Sequence, residues 1–245
     1  METREALDPN SIIPLYHQLK DILRDKIESK VWKPDDLIDS EHQLMAQYKV
    51  SRNTVKKAIE DLVQEGLLNR VQGKGTFVSR PKIEHSLGGF YSFSKVLKAK
   101  GIEARDVVLS VEPKLCLPSI AGYLKISVGE TVHELKRLRY AGNDPIIFET
   151  SYIPARIAEH IQESDLNNIG LYDLLQEKYN VSVVKAKESF EPVLIDKYES
   201  TMLHVKEGYP ALLLDRIAFD ISETPIEYCR SIVRGDRCKF YTELL

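Results

Sequence analysis

The chain has 245 residues, of which 43% are hydrophobic and 29% are charged, and its formal net charge is −3. This composition predicts a folded globular protein of one large or two smaller domains, and the absence of an apolar run near ~18 residues excludes a membrane helix. The three cysteines form no C-x-x-C pair. They favour a reducing cytoplasmic location over a disulfide framework or a zinc site.

The positive charge is concentrated in one segment. Residues 41–82 hold 8 Lys and Arg against 4 Asp and Glu, whereas residues 1–40 hold 6 against 9 and residues 83–245 hold 20 against 24. A local basic surface on an otherwise acidic protein favours a polyanionic partner that docks in one place.

Three helices are predicted in the N-terminal part of the chain. The first has apolar residues at helical spacing between residues 15 and 27. Ser40 and Gln43 have the spacing of a capping box, which opens a second, short helix. Ser51 can cap a third, longer helix, and Gly66 stands where that helix would end.

Two helices joined by a tight turn are typical of the helix-turn-helix motif. In that motif the second helix enters the major groove, and its first residues meet base edges. Arg52 suits guanine and Asn53 suits adenine through paired hydrogen bonds, while lysines can read a base or neutralise phosphate. The candidate DNA-binding residues of the two helices are His42, Ser51, Arg52, Asn53, Thr54 and Lys56, with Lys57 also on the exposed face.

A β-hairpin is predicted directly after the third helix. Its strands are Leu68 to Val71 and Thr76 to Val78, and its tip contains Gly73, Lys74 and Gly75. The glycines allow positive φ angles and close approach of the backbone to a partner. Lys74 is placed for a phosphate or the minor groove, so we interpret helix and hairpin as a winged helix-turn-helix that binds double-stranded DNA.

Residues 11–80 resemble the DNA-binding domain of the GntR family of bacterial transcription regulators. The resemblance is carried by SEHQLMAQYKVSRNTVKKAIEDLVQEGLLNRVQGKGTFV. It implies that Ser51-Arg52 and the wing from Gly73 to Gly75 contact the operator. Many relatives have arginine at the positions of His42 and Lys56, and lysine cannot fork onto guanine as arginine does. The operator therefore either differs from the commonest family sites or is bound more weakly.

The predicted domains are a winged helix-turn-helix domain over residues 1–82, a linker over residues 83–87 and an α+β domain with an antiparallel sheet over residues 88–245. In the last of these, helices are expected to begin near Ser92 and at Leu171, and the remaining segments alternate as strands do.

An internal near-repeat lies in the second domain. Residues 124–140, LKISVGETVHELKRLRY, parallel residues 203–219, LHVKEGYPALLLDRIAF, and DPIIFETSYI parallels TPIEYCRSIV further on. Each unit is interpreted as a short helix, a turn at glycine and a hairpin. We expect the two hairpins to join one antiparallel sheet about a pseudo-twofold axis, the alternative being a chance similarity of two amphipathic hairpins.

Charged and hydroxyl side chains recur two residues apart on the predicted strands, and so share a face. The arginines, with a nearby helix start, suit an anionic group such as phosphate or carboxylate, and the glutamates suit hydroxyls or an amine. The alternative is that these charges pair as Arg–Glu bridges across the sheet. The candidate ligand-binding residues are Ser92, Phe93, Ser94, Arg137, Arg139, Glu149, Ser151 and Glu227.

Residues 85–243 resemble the UTRA effector domain of the HutC subfamily, on the segments SFSKVLKAKG, KRLR, ETSYIP, LYDLL and EYCRSIVRGD. The resemblance implies a chorismate-lyase-like α+β fold that binds a metabolite without turning it over. In sugar-phosphate-sensing members the phosphate is held at the positions of Ser92 to Ser94, Arg137, Arg139 and Tyr172, and the sugar at those of Glu149 and Glu227. Gly170 replaces a phosphate-binding serine of some members, and other HutC relatives sense carboxylates or other small molecules.

These observations predict a cytoplasmic repressor that binds a palindromic operator as a homodimer and is released or repositioned by a small anionic effector, with a sugar phosphate favoured. A twofold pair is needed because one winged helix reads a single half-site. The alternatives are an activator with the same parts and an enzyme acting on a small anionic substrate. The chain has no G-x-S-x-G, H-E-x-x-H, P-loop or paired-cysteine motif, and we expect no cofactor and no metal.

Overall fold

The computed structural model describes residues 6–71, 73–87, 93–166 and 169–243. The chain divides into two compact units, Met1–Pro81 and Lys82–Leu245. No helix in these described ranges is long and apolar enough to cross a membrane.

The first unit contains three helices and a two-stranded antiparallel hairpin. These elements are α1 (Leu15–Glu28), α2 (Glu41–Tyr48), α3 (Arg52–Gln64), β1 (Leu68–Val71) and β2 (Gly75–Val78). Their apolar faces meet in one core, in which Leu19, Leu44 and Ile59 from the three helices are at most 1% exposed. The chain before α2 runs beside the hairpin, where the Ile38 amide donates to the Thr76 carbonyl at 2.9 Å.

The helix boundaries confirm the predicted caps. Ser40 and Gln43 form the capping box of α2, and the Ser51 hydroxyl accepts from the Thr54 amide at the start of α3. Gly66 has φ +75°, and the Leu67 amide donates to the Leu62 carbonyl at 2.9 Å. This pattern is a Schellman motif, which glycine favours because it has no Cβ to oppose the left-handed backbone.

The second unit is an α+β domain built on a six-stranded antiparallel sheet with the order β4-β5-β6-β9-β8-β7. The strands are β3 (Ile83–Ser86), β4 (Ala104–Leu115), β5 (Thr131–Ala141), β6 (Asp144–Pro154), β7 (Lys185–Leu194), β8 (Pro210–Phe219), β9 (Pro225–Arg234) and β10 (Cys238–Tyr241). The helices are α4 (Phe93–Ala99), α5 (Pro118–Leu124), α6 (Leu171–Tyr179) and α7 (Lys197–Leu203), with a 3-10 helix at Glu163–Leu166.

The strand order confirms the pseudo-twofold arrangement predicted from the repeat. β4, α5, β5 and β6 correspond to β7, α7, β8 and β9, and the two halves meet at β6 and β9. Thr150 and Arg230 are equivalent in the repeat and pair directly with each other. Gly129 and Gly208 have φ angles of +87° and +76° at equivalent turns. The pseudo-twofold axis therefore passes through the Thr150–Arg230 pair.

The prediction of a linker over residues 83–87 is wrong for most of that segment. Residues 83–86 form β3, which pairs in parallel with β10. Ile83 and His85 are both 1% exposed, and the His85 ring stacks between Phe93 and Phe240. The segment looked like a linker because its strand partner lies about 155 residues further along the chain, a distance that no local pattern spans.

The helices cover the two faces of the large sheet in pairs. On one face, α4 packs through Leu97 against Ile147 and Val233, and α6 packs through Leu174 against Leu135. On the opposite face, α5 and α7 pack through Leu124 and Leu203. The first face is left polar between its two apolar clusters, and this polar centre is the candidate effector site.

Candidate DNA-binding surface and effector site

The start of α3 presents its polar side chains to solvent. The side chain of Arg52 is 77% exposed, and those of Lys56 and Lys57 are 55% and 53% exposed. Asn53 and His42 are also exposed, whereas Val55 and Ala58 on the other side of the helix are fully buried. The periodicity thus separated the core face from the candidate DNA face correctly.

The hairpin places the predicted wing beside α3. Lys74 is exposed at its tip, between Gly73 with φ +74° and Gly75 with φ +123°. Arg70 on β1 and Arg52 on α3 both contact Glu41, at 3.0 and 3.7 Å. The first turn of α3 and the wing strand therefore share one basic surface, as a winged helix-turn-helix requires.

The polar centre of the large sheet consists of two rows of side chains. Directly paired residues of an antiparallel sheet lie on the same face. Arg137, Glu149 and Ser231 therefore form one row across β5, β6 and β9. Ser151, Cys229 and Arg216 form the next row. Every member of these rows except Arg216 is at most 6% exposed.

Ion pairs hold the arginines of this site. Arg137 donates to Glu149, and Arg139 lies 3.5 Å from Glu149 and 3.2 Å from Asp106. Arg216 forms a bridge to Glu188 on β7. The expected alternative of Arg–Glu bridges across the sheet is thus present, and it lies inside the candidate site.

Electrostatics keep Glu149 ionised. Burial raises the pKa of this carboxyl, but the charges of Arg137, Arg139 and Arg216 outweigh burial and lower the pKa to about 2. The Nε atom of Arg137 is buried and has no hydrogen-bond partner among the described residues. A buried donor without a partner costs free energy, which an acceptor on a bound anion would offset.

The second carboxylate of the site is that of Glu227 on β9, which contacts the first turn of α6. Glu227 is 2% exposed and accepts a hydrogen bond from the Tyr172 hydroxyl. Gly170 is the N-cap residue of α6, so Tyr172 belongs to the first turn of the helix. Burial and the charge of Glu227 raise the pKa of Tyr172 well above its usual value. Tyr172 therefore remains a hydrogen-bond donor at neutral pH.

The third predicted part of the site is the start of α4. Phe93 is the first residue of this helix and is 2% exposed, and the Arg139 guanidinium lies 4.9 Å from the centre of its ring. Ser92 lies outside the described residues, as does the side chain of Ser94. Among the described residues, no group of three or more His, Cys, Asp and Glu side chains is arranged to hold a metal ion.

Two family matches cover the two units. Residues 15–78 match bacterial regulatory proteins, gntR family, and residues 99–239 match the UTRA domain. The HTH-type transcriptional repressor NagR of Bacillus subtilis (strain 168) is 32% identical over 234 residues, which cover 96% of each chain. The chain belongs to the GntR family. Its UTRA domain is that of the HutC subfamily.

Further comparisons agree with this assignment. The "Probable fructoselysine utilization operon transcriptional repressor" of Escherichia coli (strain K12) is 30% identical over 232 residues, which cover 95% of each chain. The crystal structure of PhnF from Mycobacterium smegmatis aligns with a TM-score of 0.63 and 26% identity over 95% of this chain and 99% of that one. GntR proteins regulate transcription by binding operator DNA, and UTRA domains bind small-molecule effectors. The B. subtilis and E. coli relatives are both named as repressors, which supports a repressor role here.

Sequence reasoning missed part of both surfaces of this GntR protein. The residues that it left out are Glu41 on α2 and Arg70 on the wing, and Asp106, Glu188, Arg216, Cys229 and Ser231 on the sheet. The internal repeat contained a usable signal, because it aligns Arg216 with Arg137 and Ser231 with Ser151. Asp106 and Glu188 carried no such signal, because only the strand order brings β4 and β7 beside those arginines.

Proposed function

We propose that this GntR protein is a homodimeric, cytoplasmic repressor that binds a palindromic operator and is released by a small anionic effector. The observation that carries the effector proposal is the buried polar centre of the UTRA sheet, where Arg137 and Arg139 converge on Glu149. A dimer follows from the recognition geometry, because one winged helix covers one half-site and a twofold pair covers a palindrome.

The site favours an effector with an anionic end and a polar end. Arg137 and Arg139 supply forked donors, which suit phosphate and carboxylate oxygens. Glu149 and Glu227 supply acceptors for hydroxyl or amine groups. A sugar phosphate combines both features, and the E. coli relative is named for the utilisation of fructoselysine, a sugar derivative. These points support a sugar phosphate as the first effector class to test.

The experiment is a thermal-shift screen of the full chain with sugar phosphates, amino acids and carboxylates. An effector present at 100 times its dissociation constant stabilises the protein by about 2.7 kcal/mol, which is readily measured. The same compound should then weaken binding to a duplex that is selected from a random library with the wild-type chain. A screen in which no sugar phosphate and no carboxylate stabilises the protein would contradict the anionic effector.

The matched variants are Arg137→Lys and Arg156→Lys. Arg137→Lys keeps a positive charge beside Glu149 but loses the forked donor, whereas removal of the charge would break a buried ion pair at a cost of about 3–5 kcal/mol. We expect Arg137→Lys to bind DNA normally and to lose its response to the effector. Arg156 is exposed in the turn after β6, so the second variant should respond as the wild type does.

A further inference from the structure

Glu41 lies where α3, the candidate recognition helix, and β1, the first strand of the wing, meet. One of its carboxylate oxygens is 3.0 Å from Nη2 of Arg70, and the other is 3.7 Å from Nε of Arg52. One carboxylate thus contacts two arginines that belong to different elements of the DNA-binding surface. Sequence patterns assigned no role to Glu41 or to Arg70.

The backbone under each of these side chains is fixed. Glu41 is the first residue of α2, directly after the capping box of Ser40. Arg52 is the first residue of α3, directly after the cap formed by Ser51. Arg70 lies in β1 and pairs with Thr76 of β2. The remaining freedom is that of the two arginine side chains, which Glu41 restricts.

Glu41 contributes little to the stability of the fold through these contacts. The side chains of Arg52 and Arg70 are 77% and 42% exposed, and exposed ion pairs are weak because water screens them. A carboxylate on a DNA-binding surface also repels phosphates and so weakens sequence-independent binding. The Glu41 carboxylate also limits the rotamers of Arg52 and Arg70. This restriction reduces the conformational entropy that the two side chains lose when they bind one particular target.

We propose that Glu41 is a positioning residue that orients Arg52 and Arg70 for sequence readout, and that Arg70 is a further DNA-contacting residue. This inference rests on the DNA-binding role of the winged helix. Glu41 lowers the affinity of the protein for DNA of any sequence, and it increases the preference for the operator over other sequences. The partner chemistry is a guanine or phosphate oxygen that accepts from a held guanidinium.

The test uses the full chain, a labelled duplex selected from a random library with the wild-type chain, and a scrambled duplex of the same composition. Fluorescence anisotropy gives both dissociation constants, and their ratio measures discrimination. For Glu41→Gln we expect tighter binding of the scrambled duplex and a discrimination ratio that falls about tenfold, since a misplaced bidentate contact costs about that much.

Glu60→Gln is the matched control. It removes the same charge from α3, and Glu60 contacts Lys56 at 3.7 Å instead of an arginine. This variant should also bind scrambled DNA more tightly, but its discrimination ratio should stay that of the wild type. A fall of the same size in both variants would show a general charge effect and overturn the positioning role.

Arg70→Lys tests the same contact from the wing. Lysine keeps the charge, but its single ammonium group cannot contact the Glu41 carboxylate and DNA together as a guanidinium can. The discrimination between the two duplexes should therefore fall, while the salt dependence of binding stays unchanged. Thermal unfolding of each variant shows whether folding is affected. A ratio within about twofold of wild type in Glu41→Gln overturns this inference alone, whereas a wild-type chain without any preferred duplex overturns operator binding itself.

Discussion

Arginines are prominent in both candidate binding surfaces, but their surroundings differ. The side chain of Arg52 is 77% exposed and 3.7 Å from its acidic neighbour, whereas that of Arg137 is 8% exposed and bonded to Glu149. In the first contact, the Arg52 atom nearest the carboxylate is Nε, so the terminal Nη atoms can still donate to a base edge. Separating the buried pair of Arg137 and Glu149 costs much more, because the surrounding protein solvates the charges poorly. A ligand at that site must match it with oxygen acceptors of its own.

Replacement of Arg52 by alanine should remove sequence readout and leave the fold intact. If Arg52 pairs with guanine, its loss costs about 1–3 kcal/mol of discrimination per half-site. The measurement compares anisotropy titrations of a selected and a scrambled duplex. Lys57→Ala is the control, because Lys57 is exposed on the same helix and bound to Asp61 at 2.9 Å. Unchanged discrimination in Arg52→Ala would refute its assigned role.

The elements of the first unit depend on local backbone signals that residue substitution can test. Gly75 begins β2 with φ +123°, and a Cβ at this position would lie 2.5 Å from Cδ1 of Leu37. The wing strand and the segment before α2 therefore approach each other closely at this point. The backbone angle favours glycine there, and an added side chain would also displace the end of the exposed Leu37 side chain.

Gly75→Ala should destabilise the first unit by about 1–2 kcal/mol, because alanine is strained at this φ angle. Gly122→Ala is the opposite control. Gly122 lies within α5, and a Cβ there would meet nothing within 4 Å, so alanine should stabilise its unit by about 0.5–1 kcal/mol. Thermal unfolding measures both changes. Equal stability of the Gly75→Ala variant and the wild type would show that the wing tolerates a side chain.

The docking of β3 on β10 should make stability depend on pH through His85. Burial, followed by the charges of Lys100 and Arg139, lowers the pKa of His85 from 6.5 to about 4. In the unfolded chain His85 is therefore protonated below about pH 6.5, whereas in the folded chain it is protonated only below about pH 4. The free energy of unfolding should fall as the pH drops through this window and should be unaffected by His85 above it.

Denaturant unfolding at several pH values between 4 and 7.5 tests this expectation. His85→Gln should lower the stability at neutral pH and flatten its decline towards pH 4. His160→Gln is the control, because the His160 side chain is 81% exposed, and its pH dependence should match that of the wild type. If the free energy of unfolding depends on pH equally steeply in His85→Gln and in the wild type, His85 is not the cause of the pH dependence.

At the scale of the whole molecule, two units with different chemistry are joined at residues 81–82. One presents exposed cations, and the other encloses paired charges beneath α4 and α6. If the effector releases the operator, both ligands must act on the same conformational equilibrium. A ligand that binds two conformations with equal affinity does not change their populations.

Thermodynamic linkage makes this proposal quantitative. The factor by which the effector weakens operator binding must equal the factor by which the operator weakens effector binding, and typical values are about 5- to 150-fold. Calorimetric titration of the effector into the free protein and into the protein saturated with duplex measures the second factor, and anisotropy measures the first. A factor of one in both titrations would show that the two ligands do not share one equilibrium.

The sequence alone determined the elements whose signals are local. Capping residues, apolar spacing and Gly66 fixed the helix-turn-helix, and the 79-to-80-residue repeat fixed the symmetry of the sheet. The tertiary structure decided the rest, because strand pairing joins residues that are far apart in the chain. Only the fold could show that residues 83–86 pair with β10, that Glu41 lies between two arginines and that Glu188 bridges to Arg216. These contacts depend on register and strand order, which no local pattern encodes.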